Sequence, residues 1–229
     1  MKIKFSRFES VIEFRHDAVT VVEVVERPLF TRIVLSLQSE LGEGAVEPYF
    51  CFEDAKAVSP KGKLLLLGNL PSLPVNDRSF EKSLYLKIVS NIDSALAREE
   101  DDADIEECGR RLRSLIEAID LGLWGSYDFE VHWDLATFLK AFGYGVHFDD
   151  TESFLDRCIR FFGLCVDIGF DKPLVAINLK SFLSESELKE LYAQAFFHGI
   201  KLCLLEAWHD ERQFANERKI VLEQGFLES

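Results

Sequence analysis

The stretch Lys172–Glu206 reads KPLVAINLK, then SFLSESELKELYAQAFFHG, then IKLCLLE. Its outer pieces are short, continuous apolar runs rich in Val, Ile and Leu, as in strands with neither face in water. Between them, Ser184 followed three residues later by Glu187 makes a capping box. Leu188, Leu191, Tyr192 and Ala195 continue at helical spacing until Gly199. Two buried strands around one helix form a βαβ unit, so the strands are expected to be parallel and the crossover right-handed. The remaining strands of that sheet have to come from elsewhere in the chain.

They are found at the other end. KIKF, VIEF and the run Val19–Val25 read as early strands, and Pro28 opens a helix carrying Leu29, Ile33, Leu37 and Leu41. YFCF (Tyr49–Phe52) and LLLL (Leu64–Leu67) read as further strands. The proline-rich Asn69–Asp77 is a hinge. Beyond it, Phe80, Leu84, Ile88, Ile92 and Leu96 mark one long helix, and Ile105 through Ile119 mark a second. The acidic run Glu99–Asp104 turns the chain between them, which predicts an αα-hairpin standing apart from the sheet. Asp134 caps a short helix that ends at Gly143, residues 151–169 form a largely apolar helix, and KIVL near the C-terminus supplies a last strand. The expected fold is α/β: a discontinuous head (1–70 and 170–229) with a mainly parallel sheet, and a helical leg (71–169) inserted in it.

Composition narrows the function. The 229 residues carry a net charge of −14, which by itself opposes nucleic-acid binding. No apolar run approaches the ~20 residues of a membrane helix, and the charged start MKIKFSRFES has no secretory apolar core. Five cysteines without a C-x-x-C pair read as reduced core thiols of a cytoplasmic protein.

Phosphate chemistry lacks its usual cradle. Neither G-x-x-x-x-G-K-[ST] nor G-x-G-x-x-G occurs, and Lys61-Gly62-Lys63 precedes a strand rather than a helix. A metal-dependent nuclease would need several acids at adjoining strand ends, but Asn178 stands where a second acid would follow Asp171. The histidines sit beside aromatics or helix ends, with no nucleophile pattern around them. Glu117, Asp120, Asp128, Glu130 and Asp134 leave two readings open. They are a solvated face with an N-cap, or a set of oxygens for calcium without EF-hand spacing. Basic residues are scattered, and would form a DNA surface only if symmetry brought copies together in a ring.

Segment order and length resemble the small CRISPR-associated adaptation protein of type II-A systems. The matching stretches are Thr31–Leu41, Lys140–Phe162, Lys172–Tyr192 and Ile200–Trp208. The resemblance implies a degenerate NTPase-like head with an inserted leg, a homotetrameric ring, bound Ca2+, and sequence-independent threading of double-stranded DNA ends. It implies a non-enzymatic role in spacer acquisition beside the integrase and the effector nuclease. It also places calcium among acids near the leg–head junction, which favours Glu117, Asp120, Asp128, Glu130 and Asp134 as ligands. The family's pore is lined by lysines. Here Lys82, Lys87 and Lys140 stand among leg residues that are mainly arginine, and with Arg32 they are the DNA-binding candidates. The alternatives are a metal-dependent nuclease or NTPase-like enzyme on the same fold, and an acidic module that binds a basic partner.

Overall fold

The computed structural model describes residues 1–96, 105–118, 129 and 132–223. In chain order the elements are β1 (Lys2–Phe5), β2 (Val11–Glu13), β3 (Val19–Glu23), α1 (Arg27–Ser39), β4 (Tyr49–Glu53), β5 (Lys56–Val58) and β6 (Leu65–Leu67). Then come α2 (Arg78–Leu96), α3 (Ile105–Ala118), α4 (Leu135–Ala141), α5 (Phe154–Asp167), β7 (Leu174–Ile177), α6 (Glu185–Phe197), β8 (Leu202–Glu206) and β9 (Glu217–Val221). The chain divides into two compact units, one of Met1–Leu73 with Phe148–Ser229 and one of Pro74–His147.

The first unit is an α/β head. Its five-stranded sheet runs β6-β7-β8-β3-β9, with every neighbouring pair parallel. The βαβ unit is β7-α6-β8. Ser184 and Glu187 make the reciprocal capping box, and Gly199 takes the left-handed conformation after the helix. All five residues of both β3 and β8 are buried, as a parallel sheet covered on two faces requires.

The other N-terminal strands do not join this sheet. KIKF, VIEF and YFCF instead form a separate antiparallel sheet, β2-β1-β4-β5. The reason lies in their alternation: Ile3 and Phe5 are buried while Lys2 and Lys4 are exposed, so β1 has only one face to cover. One core combines Ile3, Phe5, Ile12, Tyr49 and Cys51 from this sheet with Leu29 and Ile33 of α1 and with Val22, Val175, Cys203 and Leu205 of the parallel sheet. Alternation sends Val21, Leu174, Ala176, Leu202 and Leu204 to the opposite face, where α6 packs on β3.

Residues 151–169, expected within the leg, lie in the head unit. There α5 packs against α6 through a face that buries Cys158, Phe161, Phe162 and Cys165. The leg-to-head boundary therefore falls at 147/148 instead of 169/170. Four of the five free cysteines are buried and Cys108 is exposed.

The second unit is helical. The apolar stripes of α2 and α3 fall where the sequence places them, and the Glu99–Asp104 turn lies outside the described residues. Asp134 caps α4, accepting from the Thr137 N–H at 2.7 Å, and α4 packs on α2. Gly109 of α3 lies so close to the Trp133 ring that a Cβ there would overlap it. No helix among the described residues is long and apolar enough to cross a membrane.

Candidate functional site

Among the described residues, one charged place in each unit bears on function. In open parallel sheets, ligands bind beyond the carboxyl ends of the strands. At that edge of the head, Glu23 ends β3 and Glu206 ends β8. They are register partners and so point to the same face, and both are fully buried. Val24-Val25-Glu26 follows β3 directly and leads into α1, so no glycine turn offers N–H groups there. A phosphate at this edge would meet two buried carboxylates.

Each acid of this edge has a defined partner. Glu23 accepts from the Asp210 N–H at 3.2 Å and sits 2.6 Å from His209 Nδ1 and 3.6 Å from Lys219 Nζ. Glu206 Oε1 accepts from the Lys180 N–H, while its Oε2 has no hydrogen-bond partner. Burial pushes the Glu206 carboxyl up to about 7; the Lys180 N–H and ammonium oppose this and the facing Glu23 charge adds to it. The Lys180 ammonium is completely buried and bridges Asp210 at 3.2 Å and Glu217 at 2.7 Å. Burial would raise Asp210, but hydrogen bonds from Arg212 and Lys180 outweigh it and hold this carboxyl well below the usual range. Asn178 is not a free strand-end residue: its Oδ1 accepts from the Ala207 N–H.

This constellation ties four segments together across the sheet face. It was invisible as a pattern, because Glu23, Lys180, Glu206, Asp210 and Glu217 span nearly the whole chain. The one local signal was a charge closing an otherwise apolar strand, as in VTVVE and LCLLE.

The second place is a groove of about 390 Å³ between α2 and α4, within the helical unit. Arg78, Lys82, Tyr85 and Leu86 line it from α2, and Thr137 and Lys140 from α4, with Glu81 as its acid. Arg78 and Lys82 are four residues apart and share a helix face. Among the described residues, none of the three cations makes a side-chain hydrogen bond or ion pair. Two of the four DNA-binding candidates, Lys82 and Lys140, are thus brought together. Arg78 joins them, missed because nothing in the sequence joins it to position 140. Lys87 is exposed on α2 but does not line the groove. Arg32 lies in the head, where its Nε is 3.2 Å from the fully buried Glu47, which Arg7 also approaches at 3.6 Å.

Of the five calcium candidates, Glu117 and Asp134 are described. Both are exposed, and one Asp134 oxygen is taken by the α4 cap. Asp120, Asp128 and Glu130 lie outside the described residues. Among the described residues, no group of three or more metal-binding side chains could hold an ion.

The structure is similar to the crystal structure of Stu0660 of Streptococcus thermophilus. The TM-score is 0.50 at 15% identity, over 90% of this chain and 68% of that one. The likeness is one of fold. No protein-family model and no curated protein matches the sequence.

Proposed function

We propose that this chain is a ring-forming protein that binds the ends of double-stranded DNA without sequence preference and without catalysing a reaction. Its place would be in CRISPR spacer acquisition, beside an integrase and an effector nuclease. The observation that carries this reading is the groove of Arg78, Lys82 and Lys140. In a chain of net charge −14, three cations converge there and, among the described residues, none is in an ion pair with a carboxylate. Contacts to phosphate need charge and position but no base-reading residue. The discontinuous α/β head with an inserted helical unit, a fold similar to that of Stu0660, supports the reading. The carboxylate edge weighs against an NTPase, and the engaged Asn178 against a nuclease.

Calcium would be held by Glu117 and Asp134 with Asp120, Asp128 and Glu130. Bound cations would offset part of the negative charge and stabilise a homotetramer. The test compares linear with covalently closed circular duplex, in calcium and in chelator, with the mass measured by light scattering. Calcium-dependent binding of the linear form alone, by a tetramer, is the expected result. Equal binding of both forms would replace the ring with an open surface, and cleavage would turn the protein into an enzyme. Replacing Glu117 and Asp120 by Ala is expected to abolish assembly and DNA binding together; unchanged DNA binding would sink the calcium assignment.

A further inference from the structure

We propose that the groove between α2 and α4 holds one nucleoside phosphate: the terminal nucleotide of a DNA strand, or a free nucleotide. The inference rests on the DNA reading only for where the nucleotide comes from, and it deepens that reading by naming the part of the DNA that is held.

The size of the groove sets the first limit. About 390 Å³ lies at the small end of ligand pockets and suits a single nucleotide unit rather than a length of duplex. Its chemistry is two-sided. Arg78, Lys82 and Lys140 supply three positive charges against Glu81, the one acid among the lining residues. An arginine fork can bind two phosphate oxygens at once, while the lysines act as compact charges beside it. The other wall is apolar: Tyr85, Leu86 and Ala136 offer a base or sugar a surface on which to leave water. Leu86 is 58% exposed on α2 and leaves apolar area at the mouth.

The surroundings point the same way. Among the described residues of the head, the cations at the carboxylate edge, Lys180, Arg212 and Lys219, sit within salt-bridge distance of a carboxylate. The three groove cations, by contrast, are in no ion pair among the described residues, which leaves them open to an anion.

Isothermal titration of the full chain tests this with three probes: a deoxynucleoside 5′-monophosphate, the same nucleoside without phosphate, and inorganic phosphate. The monophosphate is expected to bind, with each half-ligand at least about tenfold weaker. Arg78→Ala and Lys140→Ala should each weaken it by about tenfold, while melting temperatures stay unchanged. Linear duplexes with 5′-phosphate and 5′-hydroxyl ends form the second arm. The phosphorylated end should bind more tightly, and the preference should vanish in both variants.

Duplex binding that ignores the terminal phosphate, with no monophosphate binding, overturns the groove assignment and leaves the DNA reading standing. Monophosphate binding without duplex binding does the reverse and makes the groove a free-nucleotide site. Inorganic phosphate binding as tightly as the monophosphate would overturn the nucleoside part.

Discussion

The carboxylate edge of the head and the cationic groove of the helical unit use charge in opposite ways. At the edge, Glu23, Lys180, Glu206 and Asp210 are buried and joined to one another and to the backbone. Burial makes an unpaired charge costly, so Lys180 and Asp210 are paired within the chain, while Glu206, whose Oε2 has no partner, is pushed toward its neutral form. In the groove, Lys82 and Lys140 are exposed and unpaired among the described residues, so water solvates them at little cost. The first arrangement holds the fold together; the second is free to meet a ligand. Counting charges does not separate the two, but asking where each charge finds its partner does.

Substitutions can break this contrast. The largest effect is expected for Lys180→Ala, which strands Asp210 and Glu217 without their buried ammonium and should cost about 3–5 kcal/mol in urea denaturation. A loss below ~1 kcal/mol would mean that the edge cluster does not hold the head together. Gly109→Ala comes next. Its Cβ would overlap the Trp133 ring, and a forced shift of that kind costs about 1–3 kcal/mol, read as loss of helix signal or of melting temperature.

Glu206→Gln sharpens the electrostatic side. The carboxyl of Glu206 is raised from 4.5 to about 7, so the folded state holds a proton that the unfolded state has released between those values. Its contribution is fully present below about pH 4.5 and is lost as the pH climbs through 7. The glutamine variant cannot lose it, and should therefore gain on the parent by on the order of 3 kcal/mol between pH 4.5 and 8. Parallel stability curves for the two proteins would show that Glu206 does not titrate in this window. The smallest effect belongs to the groove: Lys140→Ala should change folding stability by no more than about 0.5 kcal/mol while weakening ligand binding. A large stability loss there would move Lys140 to the structural side of the contrast.

Much of the framework was legible because it is written in local terms. The capping box at Ser184 and Glu187, Pro28 in the first turn of α1, the Asp134 cap, and the apolar runs of β3, β7 and β8 each depend on residues a few positions apart. The same local patterns left two arrangements undecided. The stretch holding α5 reads equally well as part of the leg, because an apolar helix face does not state which neighbour covers it, and here that neighbour is α6. KIKF and YFCF read as strands, but which sheet a strand joins is a matter of pairing partners, and these chose each other.

By itself, then, the sequence determined an α/β head interrupted by helices, the absence of a glycine phosphate loop, and the acidic charge that any DNA reading must answer. Periodicity, caps and composition carry those facts, and all are properties of neighbours in the chain. Only the tertiary structure decided that Glu23 meets Glu206, that Lys180 reaches Asp210 and Glu217, and that Arg78 and Lys82 share a groove with Lys140. Each of these meetings, apart from the Arg78–Lys82 helix spacing, joins residues tens to nearly two hundred positions apart. Electrostatic energy depends on distance in space and on burial, and neither can be read from separation along the chain.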